Sequence, residues 1–164
     1  MRPVYLVGMP GSGKSTVGRL LAERLGAEFL DLDEEIEASE GRAVEKIFAA
    51  GGEEAFRDRE SAALMRTVGL TNAVVACGGG VVLRQANRRV LSAGRAVVWL
   101  RVPEEELARR VGDGEGRPLL VAGGDLAALA AAREGIYAQV ATITVNGEAD
   151  PATLAAAVAE RLVG

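Results

Sequence analysis

Short apolar runs alternate with longer stretches of helical spacing along the whole chain. Residues 4–7, 27–32, 73–77, 96–101 and 142–145 are each rich in apolar or β-branched side chains, as strands buried on both faces require. Between them, 14–25, 53–68, 85–92 and 104–111 carry helical periodicity, and a proline-start signal at Pro151 opens a last helix over 151–162. This alternation predicts an α/β fold, a parallel sheet covered by helices on both faces, in a single domain spanning 1–164. Sheets of this kind bind ligands at the carboxyl ends of their strands. Those ends carry Gly8 to Lys14, then Asp31 and Asp33, then Gly78, Gly79 and Gly80.

Composition narrows the chemistry. The chain has 164 residues, 49% of them hydrophobic, which is ample for one core. Its apolar runs are too short for a bilayer and its N-terminus lacks a signal-peptide layout, so a cytoplasmic setting without membrane contact is expected. A net charge of -4 with mixed signs argues against a nucleic-acid surface. The single cysteine, Cys77, has no internal partner and reads as a small buried hydrophobe. With no histidine, a zinc site is disfavoured and any general base is expected to be a carboxylate. Seventeen arginines stand against two lysines, so a lysine inside a glycine loop is informative where an arginine match is not.

That lysine is Lys14. The stretch GMPGSGKST, residues 8 to 16, fits the G-x-x-x-x-G-K-[ST] pattern with Gly8, Gly13, Lys14 and Ser15, between a strand and a helix. Its glycines let backbone N–H groups converge on one anion, the helix start adds a positive dipole end, and Lys14 adds a full charge at the outer phosphates. Ser15 is the expected ligand of a magnesium ion travelling with the nucleotide.

The acceptor side is read from what surrounds this loop. The chain has no Asn-Lys-x-Asp base-reading motif of a GTP switch, and the strand at 73–77 runs into three glycines where a motor-type ATPase carries an acid. The acids lie in LDLDEEI, 30 to 36. If Asp31 and Asp33 close an extended segment, both point the same way, one towards a magnesium-bound water and the other towards an incoming hydroxyl. A second reading makes Asp33 the cap of a helix starting at Glu34. Arg57 and Glu60, three apart on a helix, form either a surface ion pair or a guanidinium braced for a substrate carboxylate. Gly78, Gly79 and Gly80 imply a close approach to the backbone, by a small polyhydroxylated ligand or in a plain tight turn. Residues 112–125, with five glycines around Arg117, suit a lid that excludes water and brings Arg117 to the transferring phosphoryl group, although a surface loop has the same composition.

Together these segments resemble the shikimate kinases. The resemblance runs through GMPGSGKST, LDLDEEI, FRDRE at 56–60, CGGG at 77–80, RPLL at 117–120 and REGIYAQVA at 133–141. It implies a three-layer α/β/α fold of the nucleoside-monophosphate-kinase type with five parallel strands, a substrate-binding segment at about 33–61 and a lid at about 112–125. The implied activity transfers the γ-phosphoryl of ATP to the 3-hydroxyl of shikimate, with ATP and Mg²⁺ as cofactors and a monomeric state. Position by position, it assigns Gly11, Ser12, Gly13, Lys14, Ser15 and Thr16 to the nucleotide, Ser15 and Asp31 to magnesium, and Asp33 to the substrate hydroxyls. Lys14, Asp33 and Arg117 become catalytic. Arg57 and Arg133 take the shikimate carboxylate, with Glu60 bracing Arg57 and Gly78, Gly79 and Gly80 offering backbone N–H groups. Phe48 and Phe56 wall the ring, and Arg110 and Pro151 sandwich adenine. Other small-molecule or nucleotide kinases of this architecture, such as gluconate or adenylate kinases, and a non-catalytic nucleotide sensor are the alternative readings.

Overall fold

The computed structural model describes residues 1–111 and 126–163. Five parallel strands, β1 (Val4–Val7), β2 (Glu28–Asp31), β3 (Ala73–Ala76), β4 (Ala96–Arg101) and β5 (Ile143–Asn146), form one sheet in the order β2-β3-β1-β4-β5. Helices α1 (Lys14–Leu25), α2 (Leu32–Glu40), α3 (Val44–Arg66), α4 (Gln85–Ser92), α5 (Glu104–Val111), α6 (Leu126–Val140) and α7 (Pro151–Val163) connect them, with a short 3₁₀ turn at Val81–Leu83.

The two-residue alternation of a strand divides the core. From β1, Val4 and Leu6 join Val17, Leu21, Leu154 and Val158 under α1 and α7. Tyr5 and Val7 point the other way, into a cluster with Ile36, Phe56, Leu64, Leu91 and Tyr137 from α2, α3, α4 and α6. Both faces are therefore closed, as a parallel sheet demands. The chain leaves β1 for β2 and β3 on one side and later adds β4 and β5 on the other, which opens a crevice at the carboxyl end of β1. No described helix is long and apolar enough to cross a membrane.

Three local features depart from the sequence reading. The strand expected over 27–32 ends at Asp31, and α2 begins at once with Leu32. The helix expected from residue 53 starts at Val44 and continues through a kink at Gly52, whose φ of 75° breaks the helical geometry without ending the element. Helix α6 carried no periodic signal at all.

Candidate active site

The carboxyl edge of the sheet opens into a cavity of about 550 Å³. Its floor is the loop after β1. Gly13, with φ of 93°, precedes α1 in a left-handed conformation, and no side chain caps that helix, so its first N–H groups are left to a ligand. Lys14 reaches back to the carbonyls of Gly8 at 2.7 Å and Met9 at 3.0 Å, holding its ammonium over the loop. Gly11, Gly13, Lys14, Ser15 and Thr16 line the cavity. Ser12 does not line it: its side chain is buried inside the loop.

The two aspartates have different geometries. Asp31 is the N-cap of α2, its Oδ1 accepting from the backbone N–H groups of Asp33 at 2.9 Å and Glu34 at 3.3 Å. Its Oδ2 accepts a 2.5 Å hydrogen bond from the Ser15 hydroxyl. Asp33 therefore neither continues an extended strand nor caps the helix. It sits in the first turn of α2, and its buried Oδ1 has no hydrogen-bond partner among the described residues. Burial, reinforced by the neighbouring carboxylates of Asp31 and Glu60, pushes its carboxyl up to about 6, against a smaller opposing pull from Lys14.

Arg57 and Glu60 are not a solvated pair. Arg57 is 7% exposed and Glu60 0%, joined by a 2.8 Å bond from Arg57 Nη1 to Glu60 Oε1. Arg57 Nε also reaches Glu53 at 3.3 Å. Burial raises the Glu60 carboxyl, and the Arg57 guanidinium draws it back down. Arg133 on α6 is likewise buried, at 3% exposure. Two buried guanidiniums and one buried carboxylate thus face a cavity that Phe48 and Phe56 wall on one side, their rings 4.8 Å apart.

The glycine triplet is where these groups meet. None of the three has positive φ, so backbone conformation does not demand glycine here. Space does. A Cβ on Gly78 would lie 2.7 Å from Glu60 Oε2 and 3.4 Å from Asp33 Oδ1. On Gly79 it would lie 3.0 Å from both Arg133 Nη1 and the Pro10 ring, and on Gly80 it would collide with the guanidinium of Arg57. The close approach inferred from the sequence is thus made by the protein's own charged side chains. Cys77 beside them is buried, with its thiol pushed up by desolvation, and is no nucleophile.

Arg110 also faces the cavity, bonding the carbonyls of Gly11 at 3.3 Å and Gly147 at 3.1 Å and the carboxylate of Glu106 at 2.9 Å. Pro151 is not part of the cavity wall; it opens α7 behind the cap formed by Asp150. Arg117 and the rest of 112–125 lie outside the described residues. Sequence reasoning gave no role to Tyr137 or Glu37, the second of which lines the cavity and accepts from the Val44 N–H at 2.9 Å.

The family model described as shikimate kinase matches residues 10–163. The chain belongs to the shikimate kinase family. A shikimate kinase of Symbiobacterium thermophilum is 49% identical over 147 residues, covering 87% of this chain and 84% of that protein. One of Persephonella marina is 44% identical over 90% of each chain. A solved shikimate kinase of Acinetobacter baumannii, in complex with shikimate, superposes with a TM-score of 0.94 at 36% identity, covering 99% of this chain and 93% of that one. A gluconokinase of Sinorhizobium meliloti fits less closely, with a TM-score of 0.62 at 25% identity over 99% of this chain and 95% of that one. The three-layer, five-stranded architecture expected from the resemblance is the one observed.

Proposed function

We infer that the chain is an ATP-dependent shikimate kinase, moving the γ-phosphoryl of ATP to the 3-hydroxyl of shikimate to give shikimate 3-phosphate and ADP, as a step of aromatic amino-acid biosynthesis. The observation that carries this reading is one cavity holding Lys14 and the anion loop together with Asp33, Arg57, Glu60, Arg133 and the glycine triplet. A nucleotide sensor has no use for the second group. Two buried guanidiniums, one of them bonded to Glu60, call for an anionic acceptor; gluconate and nucleoside monophosphates are anionic too, and it is the family match that favours shikimate.

In this reading Arg57 and Arg133 grip the acceptor carboxylate, a planar anion matched to guanidinium forks. Glu60 fixes Arg57, and Phe48 and Phe56 support the ring. That grip turns the 3-hydroxyl towards Asp33, whose buried Oδ1, without a hydrogen-bond partner among the described residues, accepts the hydroxyl proton as the substrate oxygen attacks phosphorus. The bond from phosphorus to the bridging oxygen of ADP breaks, and the electron pair leaves with ADP. Lys14 and the N–H groups at the start of α1 offset the charge on the phosphates.

Magnesium suits the donors present. Ser15 and Asp31 offer only hard oxygen atoms, and among the described residues no group of three or more His, Cys, Asp or Glu could hold an ion alone. This fits a cation that keeps water and phosphate oxygens rather than a full protein cage. When bound, it supplies charge neutralisation of the phosphates. Arg110 places a guanidinium on the nucleotide side, while Pro151 is the less favoured half of an adenine clamp. Arg117 remains a proposed phosphoryl contact. In keeping with the family resemblance, we propose that the enzyme acts on its small-molecule substrate as a monomer in the cytoplasm, without membrane or nucleic acid.

The test supplies ATP and magnesium with shikimate, gluconate, AMP and CMP in parallel and follows ADP release. ADP formation with shikimate alone is expected. Turnover with another acceptor, or binding without turnover, overturns the reading.

A further inference from the structure

Arg133 and Tyr137 stand four apart on α6 and so share one face of that helix. Tyr137 is 1% exposed, and its ring packs 5.7 Å from Trp99. Its hydroxyl donates a 2.6 Å hydrogen bond to the carbonyl of Gly79, where an added Cβ would lie 3.0 Å from Arg133 Nη1. The Met9 sulfur of the anion loop lies 3.9 Å away. One phenol thus joins α6, the glycine corner and the phosphate loop. Burial pushes it up to about 12, so it stays a neutral donor at any working pH.

Two consequences follow from bond geometry. The Arg133 guanidinium, four residues back on the same helix face, abuts the Gly79 corner that the phenol holds, which limits the planes it can adopt. A trans peptide carries its C=O and N–H in opposite directions. Holding the Gly79 carbonyl against Tyr137 therefore turns the N–H of Gly80, in the same peptide, away from α6. We propose that Tyr137 is a positioning residue for the acceptor: through its hydroxyl it sets both the Arg133 guanidinium and the Gly79–Gly80 peptide against which the acceptor carboxylate is held. This rests on the shikimate kinase reading above.

The test is Tyr137→Phe, which keeps the ring against Trp99 and removes only the hydroxyl. The KM for shikimate is expected to rise about tenfold, equivalent to about 1.4 kcal/mol, with the KM for ATP within about twofold of the parent. The parent's preference for shikimate over its methyl ester should shrink in the variant, because the ester has lost the charge Arg133 grips; a general loosening of the fold would not single out that charge. In a double-mutant cycle with Arg133→Gln, the two losses should fall well short of additivity. An unchanged KM for shikimate, an unchanged acid-to-ester preference, or full additivity overturns the positioning role while leaving the kinase reading intact. A parent chain that does not phosphorylate shikimate overturns the kinase reading and this proposal with it.

Discussion

Asp33 is held in a state that costs stability. Its carboxyl has lost water, faces Asp31 and Glu60, and has gained no hydrogen bond among the described residues in return. Because its folded value lies near 6 against an ordinary 3.8, the folded chain binds the extra proton in that interval. Its contribution to stability is therefore full below about 3.8 and is lost as pH rises through about 6. Under the role proposed for Asp33 the ionised form is the base, so activity runs the opposite way. In the unliganded enzyme, kcat/KM for shikimate should fall along a one-proton limb as pH drops through about 6. Asp33→Asn should lose about a hundredfold or more of turnover, lack that limb, and still bind nucleotide. The same variant should melt at a higher temperature than the parent at pH 8, because a neutral amide no longer opposes Asp31. Parent-like turnover would remove Asp33 from the chemistry, and a lower melting temperature would contradict the strain.

At the scale of elements, the corner after β3 leaves no room for side chains. Gly80 has φ of -92°, which any residue adopts, so alanine there adds no backbone strain. It adds a methyl group in the space of the Arg57 guanidinium, which Glu60 prevents from moving aside. Gly80→Ala should therefore cost about 1–3 kcal/mol of stability and weaken shikimate binding at least tenfold, leaving the KM for ATP nearly unchanged. Parallel loss of both substrates would point to general collapse instead. The triplet also marks what a sequence can convey: it announced a close approach but could not say what approached, because the partners lie 18 to 54 residues away on α2, α3 and α6. The phosphate loop was legible because its meaning is local, a strand, a turn of glycines and a helix start. Asp31 and Asp33 were found as a pair, but their division of labour depends on β2 turning into α2 without a linker. The helix expected from residue 53 starts at Val44, and Gly52 is a kink between its two halves. Helix α6 is alanine-rich with no polar stripe, so Tyr137 had no periodicity to betray it.

For the whole molecule, the sheet edge joins two otherwise separate groups of elements. The anion loop belongs to β1 and α1, whose helix packs with α7 on one face, while the groups proposed to hold the acceptor come from α2, α3 and α6 on the other. A ligand at that edge stabilises elements on both sides, and its binding energy appears as folding stability. Shikimate at one hundred times its Kd should add about 2.7 kcal/mol, and a chain of 164 residues moves by roughly 2–4 °C per kcal/mol, so an upward shift of about 5–10 °C is expected. Arg57→Gln separates the two halves of the site. The variant's own melting point falls, because Glu60 is left buried without its partner, so each ligand is compared with the unliganded variant. The shift given by ATP with magnesium should survive, since its contacts lie on the β1 loop, and the shift given by shikimate should disappear. A shikimate shift that persists would mean the carboxylate is held somewhere other than between Arg57 and Arg133, and the acceptor half of the cavity would have to be reassigned.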